Sequence, residues 1–583
     1  MLSPRPIRLA AVGAAVVALL LAAWCAWQAW QVQRDLNDAV AGARALQSSL
    51  DAGQTARTAA ALDAVQTASG RAAERTAGPT WSLLTHVPWF GDDASGVRVT
   101  SRVLDDLARD GIAPLVAVVD DLDRLLPDGG AVDVDAVRAL QEPVASARAA
   151  LAAAHEDLQA QDASGYVARL RDQFTDFRDE VARADRAVRA ADTAAALLPA
   201  MLGGDGDRNY LLVFQNNAEI RATGGLPGAV SEVRAADGTL GITRHVTGAS
   251  FGRTDQPVLA ETKTERQLYQ GVLGRYFLDA NMTPDFPRAA DLMRARWAQE
   301  FPDDELAGVL MVDAVTLAYV LDATGPITVD GVTLTGDNAV DELLSGTYQR
   351  LEDPRQQDAF FAEVAAAAFE RFATGTMNPT GVLRALSRAA DERRVYLHSF
   401  DVDEQALLAG SAVAGELVTD PGVTAPQVDV TLNDSTGAKM SYYLRYDVDV
   451  DATYCAEGVQ AFAAKAHLES VAPRDAADLP AYITGGGVYG TEPGRQLVTV
   501  RIYAPVDGAI SEFELNGKRF EPLYTDENGR PIAMAYIELK PGQRVDLGWR
   551  MKGGPGQVDD ADLTVTPTIE EQDNAVTVES ACR

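Results

Sequence analysis

The chain has 583 residues, enough for several domains with their own hydrophobic cores, and a formal net charge of −33. A protein that neutralises nucleic-acid phosphates needs a basic face, so this acidic balance argues against a nucleic-acid-binding protein. The five histidines are scattered, and no Cys or His pair has zinc-ligand spacing. The sequence also lacks a P-loop, which disfavours P-loop nucleotide hydrolysis.

The first element is an apolar stretch, Leu9–Trp30, without a charged residue. Its length is close to the about 20 residues that span a bilayer as a helix. Two arginines precede the stretch and three tryptophans lie at its far end: Arg5, Arg8, Trp24, Trp27 and Trp30. Basic residues before a span and aromatic residues at its end are typical of a single-pass anchor with a cytoplasmic N-terminus. We therefore predict a tail and transmembrane anchor over residues 1–34, with the bulk of the chain extracellular; a cleaved signal peptide is the alternative.

Residues 35–200 are rich in Ala, Arg, Asp and Leu at helical spacing. One stripe of this region consists of Val167, Leu170, Phe174, Phe177 and Val181. Such a stripe predicts an extracytoplasmic helical bundle or hairpin, and a coiled-coil partner surface is the alternative.

Three aromatic residues interrupt the helical pattern in the segment from Gly78 to Asp93: Trp81, Trp89 and Phe90. Large aromatic side chains are more often packed inside a protein than used for binding. We expect all three to be packing residues.

Residues 201–415 alternate short apolar runs with helical patterns, which predicts a mixed α/β (α+β) core domain. Tyr210–Phe214 is typical of a buried strand, and Asp237-Gly238 predicts the turn of a β-hairpin. A helix is expected from about Arg288. From Gly308 onward the pattern predicts a strand, a helix and a hairpin.

Residues 416–583 contain short alternating stretches, which predict a separate β-sandwich-like domain. Cys455 and Cys582 lie in this region and would be free to pair in an oxidising compartment, although spacing alone does not establish the pairing. Asp447, Asp449 and Asp451 alternate along one stretch. They indicate a solvated edge strand, with a calcium site as the alternative.

A first polar cluster directly follows the strand that ends near Phe214 and consists of Asn216, Asn217, Glu219 and Arg221. Loops at strand ends often carry binding or catalytic residues. The same residues could instead cap local turns and form surface ion pairs.

A second polar cluster lies between Tyr348 and Phe361. Asp353 is a good N-cap, Pro354 suits the first helical position, and Arg350 and Arg355 lie close to this helix start. A helix N-terminus beside guanidinium groups favours an anion such as phosphate. An ordinary capped helix with surface ion pairs is the alternative.

Three motifs carry a family resemblance: "YLLVFQNNAEIRATGGLPG" from Tyr210, "NMTPDFP" from Asn281, and "LNDSTGAKMSYYL" from Leu432. Together they resemble the bacterial family called domain of unknown function 4012, over roughly Trp81 to Leu444. The family has no established activity, so this resemblance implies no reaction.

The stretch Val312–Phe361 is more distantly similar in layout to the LytR-CpsA-Psr family. The matching positions are Asp313, Asp322, Gly325, Leu334, Gly336, Ala339, Arg350, Asp353 and Arg355. Pro326 stands where that family usually has a second glycine, and two early signatures of the family are absent. Members are membrane-anchored enzymes that transfer glycopolymers from a polyprenyl pyrophosphate carrier to the cell wall.

This second resemblance implies a LytR-CpsA-Psr-like central domain with a phosphotransferase site. Arg221, Arg350 and Arg355 would bind the pyrophosphate. Glu219 or Asp353 would act as the base or hold a divalent ion such as Mg²⁺. Asn216 and Asn217 belong to the same ligand-binding set, and Lys439 either lines the same cleft or lies in a turn.

The sequence therefore predicts a multidomain chain with an anchor, a helical segment, an α/β core and a β-rich C-terminal domain. The predicted function is cell-envelope or surface-polysaccharide biogenesis, by binding or transferring a polyprenyl-pyrophosphate-linked glycopolymer. The alternative is a non-catalytic envelope scaffold or assembly protein. The expected partners are the cytoplasmic membrane and a glycopolymer or cell-wall polymer, without nucleic acid.

Overall fold

The computed structural model describes residues 5–51, 55–118, 131–374 and 379–582, with the side chains of residues 5–22, 51, 55–56, 372–374 and 379–380 left out. The chain is α+β, with a helical N-terminal region and a β-rich C-terminal region. It divides into two compact units. The first comprises residues 1–125 and 133–199, and the second comprises residues 126–132 and 200–583.

The first unit is built from helices, in keeping with its many alanines and other good helix formers. In chain order these are α1 (Arg5–Asp51), α2 (Thr55–Ala77), α3 (Pro79–Leu84), α4 (Gly91–Asp106), α5 (Ala113–Ala117), α6 (Val134–Ala139), α7 (Gln141–Gln159) and α8 (Ala168–Met201).

Apolar side chains from α4, α7 and α8 form a core of this unit, which includes Val103, Leu158, Phe174 and Val181. The predicted stripe on α8 is therefore confirmed as a packing face. Val167, just before α8, is the exception because it remains 54% exposed.

Helix α1 contains the apolar stretch Leu9–Trp30, of which positions 9–22 lie outside the described side chains. In the part of the chain that the structure describes, no helix combines the length and apolarity needed to cross a membrane.

The second unit contains all the strands among the described residues. They are β1 (Arg208–Asn216), β2 (Leu226–Ala236), β3 (Thr239–Thr247), β4 (Gly308–Asp313), β5 (Ile327–Val329), β6 (Val332–Leu334), β7 (Tyr396–Ser399), β8 (Gln427–Asp434), β9 (Leu444–Ala456), β10 (Val459–Ser470), β11 (Gln496–Tyr503), β12 (Ala509–Leu515), β13 (Lys518–Arg519), β14 (Leu523–Glu527), β15 (Arg530–Leu539), β16 (Arg544–Lys552), β17 (Ala561–Val565) and β18 (Ala575–Val578).

Its helices are α9 (Lys263–Tyr269), α10 (Phe286–Glu300), α11 (Ala314–Thr324), α12 (Ala339–Asp341), α13 (Thr347–Arg350), α14 (Pro354–Thr374), α15 (Pro379–Asp391), α16 (Val402–Leu408) and α17 (Ala481–Thr484). Strands β3-β2-β1-β4-β7 form a five-stranded sheet in that order. β1 and β4 run parallel, and the other neighbours are antiparallel.

Asp237 and Gly238 join β2 to β3 as predicted. Both have positive φ, 47° and 78°, which is the backbone geometry of the turns that suit a two-residue hairpin. The same dipeptide, Asp330-Gly331, joins β5 to β6. The predicted order of strand, helix and hairpin after Gly308 is confirmed by β4, α11 and β5-β6.

Helices cover both faces of the five-stranded sheet. On one face, Leu211 and Val213 pack in a core with Met293 and Trp297 of α10. On the other, Leu310 and Val312 pack against side chains of α11 and α15. Helix α14 also contacts strands β2 and β3 of this sheet.

The C-terminal strands form two further sheets, β13-β12-β16-β10-β9 and β14-β15-β11-β8-β17-β18. A shared apolar core with residues such as Phe462, Val500 and Trp549 joins these sheets. Cys455 and Cys582 form a disulfide, which resolves the pairing that the sequence left open. β9, with its three aspartates, is an edge strand as predicted.

Candidate functional site

The polar side chains at the end of β1 and just after it are buried or half-buried and contact distant parts of the second unit. Asn216 donates to the Tyr348 hydroxyl, and Asn217 donates to Asp313 Oδ2 at 3.1 Å. Glu219 accepts a hydrogen bond from the Lys439 ammonium. Arg221 lies 3.7 Å from an Asp279 carboxylate oxygen. Each residue of the first cluster therefore has a different partner.

The backbone of this loop is also satisfied from elsewhere in the chain, as a buried polar backbone requires. The Ala218 and Ile220 carbonyls accept from the amides of Ser441 and Asp434, at 3.0 and 2.9 Å. The Ala222 carbonyl accepts from Thr566 Oγ1 at 2.9 Å. The first motif, from Tyr210, and the third, from Leu432, thus pack on each other.

Behind the loop lies a buried charge network centred on Arg394, which is 0% exposed. Its Nη1 lies 2.9 Å from Asp313 Oδ2, and its Nε lies 2.7 Å from Glu392 Oε2. Asp313 also caps α11 by accepting from the Thr316 amide at 2.8 Å. Because Asp313 accepts hydrogen bonds from three residues, Asn217, Thr316 and Arg394, it is part of the internal framework.

In front of the loop lies a cavity of about 170 Å³ between the five-stranded sheet and helices α11 and α14. Most of its wall is apolar. The apolar lining includes Phe214, Leu226, Ala229, Leu278, Ala314, Leu317, Leu343, Leu344, Phe361, Val364 and Ala365. The polar lining includes Gln215, Asn216, Glu219, His245, Thr247, Tyr348, Gln357, Asp358, Lys439 and Tyr482.

Lys439 is the cation of the cavity and is already neutralised by Glu219. Its ammonium also lies 4.7 Å from the ring centres of both Tyr348 and Tyr482. Burial alone would lower the pKa of Lys439, but the Glu219 carboxylate and the two hydroxyls raise it above its ordinary value. Burial raises the pKa of Tyr348 to about 12. Lys439 is therefore a permanently charged group in an aromatic setting.

The cavity is long, because its lining follows strand β2. Asn216 pairs with Leu226 at one end of β2, and His245 pairs with Ser231 five positions further along. At about 3.3 Å per residue, this separation is roughly 16 Å. Burial lowers the pKa of His245, whose Nδ1 lies 3.0 Å from the Ser231 hydroxyl. The far end of the cavity is thus lined by a neutral imidazole.

Three of the eight predicted site residues line this cavity: Asn216, Glu219 and Lys439. Asn217 and Arg221 point to internal partners instead. Arg350 binds Glu342 at 2.9 Å, and Arg355 binds Asp353 at 3.1 Å with its side chain 90% exposed. The structure therefore does not bring Arg221, Arg350 and Arg355 together at one cleft, as was predicted.

The helix start at Asp353 is confirmed, since α14 begins at Pro354 and the Asp353 carboxylate accepts from the Arg355 amide at 3.0 Å. However, Asp353 pairs with Arg355, and Glu219 pairs with Lys439. Mg²⁺ prefers carboxylates that are not already neutralised by cationic side chains. These two residues therefore do not fit the divalent ion that the distant family resemblance implies.

Asp447 and Asp449 lie on the exposed face of β9, near His467 of β10. Possible metal-binding atoms of these three residues lie within 4.8 Å of one another. His467 Nδ1 is bonded to Asp546 at 2.6 Å. The geometry agrees with the predicted solvated edge, and Asp451 does not join the group.

The polar residues of the cavity that the sequence interpretation missed include Tyr348, Gln357, Asp358 and Tyr482. The first three belong to the second polar cluster, in which the capping residue and the arginines point to the helix start instead. Gln357 is 1% exposed, and its Oε1 has no hydrogen-bond partner among the described residues. Tyr482 has no local signal, because it reaches the cavity from a short helix after β10.

These contacts place the first motif at the centre of the second unit. Residues 205–348 match the family model for "Protein of unknown function (DUF4012)". This DUF4012 segment covers about a quarter of the chain and supports the family resemblance. It holds the first polar cluster and Tyr348, whereas Lys439 and Tyr482 come from outside it. Searches of curated proteins and of solved structures found no match.

Proposed function

We propose that this protein acts in cell-envelope or surface-polysaccharide biogenesis by binding the hydrocarbon chain of a polyprenyl-linked glycopolymer. The cavity carries this proposal, because it is long and lined mainly by apolar side chains. Apolar cavities of about 150 Å³ bind small hydrocarbons, so about 170 Å³ suits a segment of an isoprenoid chain. The layout similarity of residues 312–361 to LytR-CpsA-Psr enzymes supports the same ligand class.

We further propose that the chain is anchored in the cytoplasmic membrane by residues 1–34, with its bulk outside. The uncharged stretch Leu9–Trp30 and the arginines before it support this orientation. The disulfide Cys455–Cys582 supports an oxidising compartment for the C-terminal region.

The charges that line the cavity favour binding of the hydrocarbon chain of the ligand over reaction of its pyrophosphate there. The acidic and basic side chains of the lining, apart from the neutral His245, are two carboxylates, Glu219 and Asp358, and one ammonium, Lys439. Burial raises the pKa of Asp358, and Lys439 opposes the shift. An anionic head group gains little from this set, so it would remain outside the cavity. The proposal therefore assigns no transfer step to Glu219 or Asp353.

A scaffold role has its own support. The polar side chains after β1 form internal contacts that stabilise the fold. An assembly protein requires such a stable framework but no ligand in the cavity. The two proposals differ in whether an isoprenoid binds.

Binding of a fluorescent polyprenyl phosphate to the full chain in detergent tests the cavity. Ala365→Phe fills the cavity from α14 and should weaken binding at least tenfold. Ala366→Phe adds the same ring at the next, exposed position and should bind like the wild type. Arg355→Ala should also leave binding unchanged. Equal binding by Ala365→Phe and Ala366→Phe would refute the cavity as the site and favour the scaffold.

A further inference from the structure

The turn between α2 and α4 exposes large apolar side chains. Trp89 is 91% exposed, and Leu83 and Phe90 are 65% and 62% exposed. The expectation that all three aromatic residues of this segment are packed is thus right for Trp81 and wrong for Trp89 and Phe90. Trp81 is 5% exposed and packs with Val32 and Ala94.

Trp89 also has an unusual backbone. Its φ is 73°, in the left-handed region that bulky residues rarely occupy. Neither burial nor a side-chain partner in the described chain compensates for this conformation. Strained positions of this kind cluster at functional sites. In this conformation the indole ring of Trp89 is almost fully exposed.

The turn lies level with the end of the apolar stretch on α1. The end of α2 is fixed there, because Arg75 Nε binds Asp35 at 2.7 Å. Helix α3 follows, and Thr80 Oγ1 accepts from Trp24 Nε1 at 3.4 Å. The turn therefore lies next to the part of α1 that ends the apolar stretch.

This part of α1 has an exposed aromatic surface of its own. Trp24, Trp27 and Trp30 are 47%, 45% and 56% exposed. The Arg34 guanidinium lies 5.6 Å from the Trp30 ring centre, so charge begins directly after the tryptophans. Two segments that are far apart in sequence, and that meet at Trp24 and Thr80, thus both expose aromatic side chains.

We propose that Trp89 and Phe90 insert into the interfacial layer of the membrane that holds α1. Tryptophan and phenylalanine favour this layer, where an apolar ring meets the lipid head groups. The inference rests on the membrane anchor of the proposed function and is independent of the cavity. A second contact beside α1 restrains rotation of the helical unit about its anchor, which a single helix would permit.

Quenching of tryptophan fluorescence by brominated phosphatidylcholine tests the inference on the full chain in liposomes. Trp89→Phe keeps an aromatic ring and removes one indole. The emission of Trp89 is obtained by subtracting the spectrum of Trp89→Phe from that of the wild type. This difference spectrum should be quenched by the brominated lipid, and it should be blue-shifted relative to that of the detergent-solubilised protein. The emission lost in Trp81→Phe, from the buried indole of the same segment, should not be quenched.

A triple variant, Trp24→Phe, Trp27→Phe and Trp30→Phe, reports the anchor separately. If its lost emission is quenched while that of Trp89 is not, the anchor stands and the inference is overturned. If neither is quenched, the anchor itself fails, and the inference fails with it. Quenching of Trp89 emission by aqueous acrylamide instead of lipid would also overturn the inference.

The variant Trp89→Gly tests whether the fold depends on the indole ring of Trp89. Glycine adopts a positive φ freely, so this variant should keep the helical content and thermal midpoint of the wild type or exceed them. Loss of the fold in Trp89→Gly would show a structural role for the indole and contradict the inference.

Discussion

The Lys439 ammonium contacts the Glu219 carboxylate beside the cavity, across 220 residues of chain. Glu219 follows strand β1 of the five-stranded sheet, and Lys439 follows strand β8 of the C-terminal sheets. Both side chains are nearly buried, with 11% and 5% of their surfaces exposed. This ion pair therefore joins two sheets that the sequence predicted as separate domains.

Removing one partner of this pair should be costly. Lys439→Met leaves the Glu219 carboxylate buried without its counter-charge, a change that typically costs about 3–5 kcal/mol. We expect a loss of this size in the free energy of unfolding, measured by urea denaturation with near-ultraviolet circular dichroism. The double variant Glu219→Gln with Lys439→Met should recover most of the loss, and failure to recover would show that the ammonium matters for packing more than for charge.

Two substitutions of Asp313 separate the contribution of its charge to stability from the contribution of its helix cap. Asp313→Asn keeps an N-cap for α11 but removes the charge beside Arg394, and we expect a loss of about 3 kcal/mol. Asp313→Ala should cost about 1 kcal/mol more, because the cap is lost as well. Asp330→Asn, in the exposed turn between β5 and β6, should be neutral. Equal stabilities for Asp313→Asn and the wild type would contradict the role given to Arg394.

Two carboxyl groups should make stability fall as pH rises. Burial, with nearby carboxylates adding to it, raises the pKa of Asp285 to about 6 and that of Glu527 to about 7. The unfolded chain has ordinary values near 4, so between about pH 4 and pH 7 the folded state binds more protons. Its free energy of unfolding therefore decreases with rising pH across this window.

Urea denaturation at several pH values checks this dependence. The double variant Asp285→Asn with Glu527→Gln should lose much of the decrease relative to the wild type. A decrease of the same size in both proteins would assign the pH dependence to other groups.

The disulfide closes a long loop and should stabilise the C-terminal region. Cys455 and Cys582 are 127 residues apart, and cross-linking a loop of this length destabilises the unfolded chain by about 5 kcal/mol of lost conformational entropy. Cys455→Ser with Cys582→Ser should lower the unfolding midpoint accordingly. A reducing agent should lower the midpoint of the wild type and leave that of the variant unchanged, and insensitivity of the wild type would refute the prediction.

Local signals in the sequence predicted much of the fold. The Asp237-Gly238 turn and the helix start at Asp353 depend on backbone preferences within a few residues, so they were readable without tertiary information. The stripe on α8 likewise follows from helical periodicity, because buried positions recur at 3.6-residue spacing.

The site was less predictable because its contacts are long-range. Nothing near Glu219 indicates that its partner is Lys439, and nothing near Asp313 indicates Arg394. By contrast, Arg355 finds Asp353 two residues away, and Arg350 finds Glu342 eight residues away. Both arginines thus form ion pairs near the surface, which was the alternative interpretation of the sequence.

The position of the DUF4012 segment within this network bears on how such proteins evolve by recombination. A gene fragment encoding residues 205–348 alone would carry Glu219 without Lys439, and Asp313 without Arg394. Both acidic side chains would then be left uncompensated in any new host protein. A piece that carries both counter-charges has to extend at least to Lys439, so we expect exchange between genes to preserve a piece longer than the DUF4012 segment.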